Sequence, residues 1–257
     1  MSGIALALRQ ARYQNRAFWR NPPAAFFTVL FPLMFLVIFN LLFGNDEAAV
    51  PGGRASTSNF YVPAITAFGV ISASFTNIAM GVSISRDEGV LKRVRGTPLP
   101  AWSYMAARIM HATFIALLLT AIGTLAGALF YDVDVPTTTL AAVVVTVLVG
   151  AASFSALGLA MTSVVPNAEA APAVVNGVVL PLLFISDVYI PDTGAPDWLR
   201  TIANVFPVKH FSEALQTPFS PFDVGSGFEW GHLAVIAAWG VVGAGLAIRF
   251  FSWEPRR

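Results

Sequence analysis

Six stretches of this 257-residue chain carry no Asp, Glu, Lys or Arg, and each is close to or beyond the length that a bilayer demands. A helix crosses a hydrocarbon core of about 30 Å with about 20 apolar residues. Asn21 to Asn45 is free of charge and centres on VLFPLMFLVIFNLLF. Ala55 to Ser85 runs for 31 uncharged residues and Val135 to Ala168 for 34. Ala112 to Tyr131, Ala170 to Ser186 and Trp230 to Ile248 complete the set. Only 11% of residues are charged and 56% are hydrophobic, against about a quarter charged in an average soluble domain. A soluble globule of this size lacks the interior to hide so much apolar surface, so the chain reads as an integral membrane protein. A net charge of +1 gives no case for nucleic acid as a partner. The absence of cysteine excludes disulfides and thiolate-held metals.

Basic residues orient the spans, because cytoplasmic segments carry the excess of Lys and Arg. With six spans and a cytoplasmic N-terminus, 12 of the 15 basic residues lie inside; only Arg54, Arg200 and Lys209 lie outside. A seventh helix hidden in Val135 to Ala168 would carry Arg249, Arg256 and Arg257 outside and spoil this pattern. The expected fold is therefore all-α and integral to the membrane, a single domain over 1–257. Its transmembrane helices are expected at 24–43, 60–84, 109–131, 138–164, 170–186 and 230–250. A cytoplasmic loop covers 85–100 and an extracytoplasmic loop 187–229. Arginine outnumbers lysine 13 to 2, in keeping with a GC-rich bacterial genome. The expected location is a bacterial plasma membrane, with both termini cytoplasmic.

The N-terminal basic region, residues 1–22, is too long for a signal peptide, and the apolar stretch after it is too long for an h-region. Arg9, Arg12, Arg16 and Arg20 are spaced by 3, 4 and 4 and share one helical stripe, with Ile4, Ala7, Ala11 and Phe18 roughly opposite. That pattern predicts a helix in the cytoplasmic interface, its arginines toward lipid phosphates. A basic tail without fixed structure is the alternative.

Several chemistries are missing. Neither Lys92 nor Lys209 sits in a phosphate-binding loop, and no HExxH or GxSxG occurs. His111, His210 and His232 are far apart in sequence. Span interiors hold almost no Asp or Glu, so a deep carboxylate for proton coupling is lacking. An uphill transport step would draw its energy from another polypeptide.

The inner loop Ser85 to Pro100, SRDEGVLKRVRGTPLP, is the most informative segment. Ser85 and Glu88 have capping-box spacing. Lys92, Arg93 and Arg95 suit a helix C-terminus. Gly96 can supply a left-handed cap, and Pro98 and Pro100 prevent continuation. Gly89 weakens the interior by about 1 kcal/mol. The spacing predicts a short helix near 86–95, a rigid knob suited to docking. A loop whose cations only set topology is the other reading.

Glu88 to Leu99, EGVLKRVRGTPL, resembles the E-x-G-T-L-K-R-L-R-x-T-P-L signature of ABC-2 type transporter permeases, the daunorubicin-resistance permeases among them. Leu180-Pro181-Leu182-Leu183-Phe184-Ile185-Ser186, then Ile190-Pro191, Pro196-Asp197-Trp198-Leu199 and Phe206-Pro207, are similar to a second family pattern. Phe31-Pro32-Leu33 in the first span is similar as well. The likeness covers nearly the whole chain. Val90 departs from the usual Thr, and Asp187 stands where the family often has Gly. The resemblance implies the membrane subunit of an ABC exporter that works with a second permease half and a separate ATPase subunit. ATP and Mg would be bound by that ATPase, and no cofactor by this chain. Membrane lipid is the remaining partner. An ATPase-coupling role is carried over onto Arg86, Asp87, Glu88, Leu91, Lys92, Arg93 and Arg95.

In the outer loop, Pro196 to Phe206 and Pro207 to Leu215 can form short amphipathic helices. The resemblance implies that these re-enter the outer leaflet; an ordinary interfacial cover is the alternative. Span two is rich in small polar residues, and span five has Pro172 and Pro181, which predict kinks. Such residues commonly mark helix packing. The resemblance implies that spans two and five of two halves face a central cavity. Phe68, Ser72, Phe75, Thr76, Asn77, Asn176, Leu180 and Phe184 are then the cavity candidates, a mixed lining suited to an amphipathic small molecule, drug-like or lipid-like. A lipid-linked glycan as cargo, an ion-coupled carrier and a membrane scaffold remain as alternatives.

Overall fold

The computed structural model of the chain describes residues 3–43, 46–186, 188 and 196–254. Arg256 and Arg257, Asp187 and the motif residues Ile190 and Pro191 lie outside the described residues. Helix α1 is Gly3–Trp19. Helix α2, Pro22–Phe43, begins where Asn21 accepts a hydrogen bond from the Ala24 amide and prolines fill the first turn. A two-stranded antiparallel hairpin follows, β1 Glu47–Val50 with β2 Gly53–Ser56. It departs from the all-helical expectation. Its cause is the Pro51-Gly52 turn, with Gly52 at a left-handed φ of 92°.

Helix α3 spans Thr57–Asp87 and α4 Val90–Arg95. Helix α5 is Ala101–Phe130 and α6 Leu140–Met161. Helix α7 is Ala171–Ile185, followed by α8, Asp197–Ala203, and α9, Pro207–Gln216. Helix α10 is Trp230–Phe250. Among the described residues, five helices are long and apolar enough to cross a membrane: α2, α3, α5, α6 and α10. The sixth apolar run forms the shorter α7, whose 15 residues extend about 22 Å at 1.5 Å per residue. Pro172 occupies the first turn of α7, so it bends nothing; only Pro181 lies inside the helix.

Helix α3 is the centre of the bundle. Nearly every residue from Thr57 to Ile71 is buried, against α2, α5, α6 and α9. Helix α6 is held between α3 and α10 by two close approaches. A Cβ on Gly158 would lie 2.7 Å from the Phe75 carbonyl oxygen, and one on Gly243 2.8 Å from the Leu157 backbone nitrogen. Small residues let backbones meet in this way without a hydrophobic driving force between helices. Helix α9 is buried along most of its length, with Phe211 against Gly150 and edge-on to Phe154. The expected short helices of the outer loop are thus present, and the second of them packs inside the bundle.

Helices α2 and α3 each contain one π-helical turn, Phe26–Leu30 and Ser72–Thr76. The Asn77 amide donates to the Thr28 hydroxyl at 3.3 Å and joins the two wide turns. The arginine stripe of α1 is exposed, and its opposite face is partly covered by protein. Ser103 donates to the Gly3 carbonyl at 3.0 Å, and Phe18 meets His111 edge-on.

Candidate functional site

The C-terminal ends of α3 and α6, the N-terminal side of α7 and helix α4 meet in one polar assembly. Helix α3 does not stop at Ser85. It continues to Asp87, where the Glu88 amide bonds the Ile84 carbonyl and Gly89 turns left-handed at φ 70°. The expected capping box is therefore corrected. The Ser85 hydroxyl donates back to the Gly81 carbonyl at 2.6 Å and accepts from Arg108 at 3.1 Å. Its neighbours are all helical, so no free amide is left for it to cap. Gly89 is a joint, not an interior residue, because only glycine takes this conformation without strain. The short helix of this loop is thus Val90–Arg95, not 86–95. Gly96 is also corrected: its φ is −76°, an ordinary right-handed value.

Three of the seven coupling candidates face inward: Arg86, Asp87 and Leu91. Arg86 is 1% exposed. Its guanidinium donates to the carbonyls of Thr162 at 2.9 Å, Val165 at 2.8 Å and Pro166 at 3.2 Å. These lie just past the C-terminus of α6, where a cation is favoured. Asp87 pairs with Arg86 at 3.3 Å and accepts from the Ala168 amide with its other oxygen. Arg86 and Asp87 therefore clamp the end of α3 to the α6–α7 connection. Leu91 is fully buried among Ile78, Val82, Tyr104 and Leu159. It roots α4 in the bundle. Glu88, Lys92, Arg93 and Arg95 are exposed, with Arg95 3.7 Å from Glu254. The result is a cationic knob of one and a half turns, fixed below by Leu91 and joined through Gly89 to a three-helix clamp.

The eight cavity candidates do not converge within one chain. Phe68 is buried against Phe31 and Phe35. Asn77 turns to Thr28, with Ser72 and Thr76 partly buried beside it. Asn176, Leu180 and Phe184 form a stripe at four-residue spacing on α7, with Leu180 41% and Phe184 57% exposed. Phe75 alone of the eight lines a cavity of about 500 Å³ between α3, α6, α7 and α10. Phe154, Val179, Leu182 and Trp239 also line it, and Ser163 is its one hydroxyl side chain. This lining is almost wholly apolar, and the cavity between two halves that the resemblance implies is a different space.

Among the described residues, one group could hold a metal ion: His210, Glu213 and His232 on α9 and α10. Sequence distance concealed it, since the two histidines are 22 residues apart.

The chain matches the model of the ABC-2 type transporter family over residues 8–219. It is 24% identical over 203 residues to a Bacillus subtilis transport permease, YvfS, covering 79% of this chain and 81% of that protein. It is 24% identical over 234 residues to the transport permease ycf38 of Porphyra purpurea, covering 90% and 78% of the two chains. It is 25% identical over 201 residues to the daunorubicin resistance ABC transporter permease DrrB1 of Streptomyces coeruleorubidus, covering 77% and 69%.

Proposed function

The chain belongs to the ABC-2 type transporter family, and on that premise we propose that it is the membrane permease subunit of an ATP-driven exporter. Its partners are a separate ATPase subunit and a second permease half, a copy of itself or a relative. The cargo is a hydrophobic or amphipathic small molecule, drug-like or lipid-like. The relative named as a daunorubicin resistance ABC transporter permease supports this cargo class.

The observation that carries the reading is the exposed knob Val90–Arg95 and its attachment. When the ATPase dimer closes on ATP, it pushes α4. Leu91 makes α4 a lever seated in the bundle, and Gly89 lets it turn without unwinding α3. The Arg86–Asp87 clamp passes the displacement to the inner ends of α6 and α7. Helix α7 carries Asn176, Leu180 and Phe184 on an exposed face, which would meet the second half across the cargo path. Phe75 supports that wall from within, beside Val179 and Leu182. Cargo is moved, not chemically changed. ATP and Mg bind in the partner, since the chain has no phosphate loop. Accordingly, the purified chain alone is expected neither to bind nor to hydrolyse ATP. Saturable hydrolysis by the pure chain would refute the division of labour.

In the membrane, α7 serves as the sixth span, both termini are cytoplasmic, and α8 and α9 dip into the outer leaflet as re-entrant helices. Burial of α9 among α3, α6 and α10 supports that placement. Single cysteines at positions 47, 193 and 92 test the topology in this cysteine-free chain; Thr193 lies outside the described residues. An impermeant thiol reagent is expected to label positions 47 and 193 in intact cells and position 92 only after lysis. Labelling of position 92 in intact cells would overturn the six-span orientation.

A further inference from the structure

We propose that His210, Glu213 and His232 form a zinc-type metal site that clips α9 to the start of α10. His210 and Glu213 are three residues apart on α9 and so share a face. His232 comes from the first turn of α10. Their ligating atoms all lie within 4.8 Å of one another. The Nδ1 atoms of the two histidines are 2.8 Å apart, and His232 Nδ1 lies 3.4 Å from Glu213 Oε2.

The surroundings prepare these atoms for a cation. His210 Nε2 is 2.8 Å from the Asn204 carbonyl. A carbonyl only accepts, so Nε2 is the nitrogen that carries hydrogen in the neutral ring, and Nδ1 keeps its lone pair. A backbone carbonyl behind a ligating histidine is the usual support of a metal site, since it fixes both tautomer and ring orientation. Glu213 divides its oxygens: Oε1 is 3.8 Å from Lys209 Nζ, and Oε2 faces His232. The lone pair of His210 and the carboxylate of Glu213 thus converge on one nitrogen. A single hydrogen on His232 can serve both in the metal-free chain, and a cation replaces it.

The donor set selects the ion. Two imidazoles and one carboxylate suit zinc and its d-block neighbours, whereas magnesium and calcium prefer all-oxygen shells. Zinc–nitrogen bonds of about 2.0–2.1 Å in a tetrahedron separate two ligating nitrogens by about 3.3 Å. The histidine pair must therefore open by about 0.5 Å, a small side-chain rotation for groups that are partly exposed. Three protein ligands leave a fourth position for water. Bound metal would tie α9 to α10 beside the stacked Phe206 and Trp239 rings, and so stiffen the outer face of the bundle.

The test uses the full, untagged chain in detergent micelles, stripped of metal with a chelator and titrated with Zn²⁺ by calorimetry. One ion per chain is expected, with a higher melting temperature in Zn²⁺ than in chelator and no such effect from Mg²⁺. His210→Asn, His232→Asn and Glu213→Gln should each weaken binding at least about tenfold, while His111→Asn leaves it unchanged. Each variant is first melted in chelator, and only those matching the wild type are titrated. X-ray absorption at the zinc edge of the wild type provides a second readout independent of variants, with imidazole scattering from two rings expected. Absence of saturable Zn²⁺ binding, binding indifferent to the His210 and His232 substitutions, or an edge spectrum without imidazole scattering would each overturn the site.

Discussion

Arg86→Ala is expected to destabilise the protein more than any other single substitution in the inner loop, by about 3–5 kcal/mol, the range for removing one member of a buried ion pair. The guanidinium is almost wholly buried and serves three carbonyls and Asp87 together. Its loss leaves those carbonyls without donors and Asp87 without its cation, and buried unsatisfied groups carry their full desolvation penalty. Arg86→Lys should recover only part of the loss, because an ammonium cannot reproduce the planar fork that reaches Thr162 and Val165 at once. The measurement is the fraction of detergent-solubilised protein that stays monodisperse after a graded heat step, alongside co-purification of the ATPase at low temperature. The expected result is early aggregation of Arg86→Ala with ATPase binding retained in the molecules still folded. Wild-type heat resistance with loss of ATPase binding would instead make Arg86 a surface docking residue and contradict the clamp.

That role was not legible in the sequence. An arginine at the inner end of a span reads as a topological signal, and nothing local marks its acceptors, which lie 76 to 80 residues away. The apolar runs, by contrast, located the long helices well, because a charge-free run of bilayer length has few other uses. The Ser85–Glu88 spacing misled for a physical reason. A capping box is a signal only where a helix begins, and α3 had not ended. The true breakpoint is Gly89, one glycine whose left-handed φ no residue pattern announces. The hairpin was missed: Pro51-Gly52 is a turn dipeptide, but the flanking EAAV and GRAS carry no strand signature of alternating β-branched or aromatic residues. The outer histidines were half readable. The spacing of His210 and Glu213 places them on one face of a helix, but the approach of His232 depends on how α9 and α10 pack.

Reversing both Lys92 and Arg93 to Glu is expected to have the opposite profile. Both side chains are exposed, so the fold should change little, within about 0.5 kcal/mol for surface positions. Arg108 and the arginines of α1 still mark the inner side, so insertion should persist. On the proposed coupling role Lys92 and Arg93 meet acidic groups of the ATPase, so docking is where the change acts. Like charges set face to face across an interface cost several kcal/mol, and about 3 kcal/mol corresponds to roughly a hundredfold in affinity. The double variant should therefore reach wild-type membrane levels and lose the ATPase.

The decisive measurement pairs co-purification of the ATPase with ATP-driven transport for the Lys92→Glu/Arg93→Glu chain in proteoliposomes, normalised to membrane-inserted protein. Loss of both, with unchanged heat resistance, is the predicted result. Normal co-purification and normal ATP-driven transport at wild-type membrane levels would mean that Val90–Arg95 only sets topology and couples nothing.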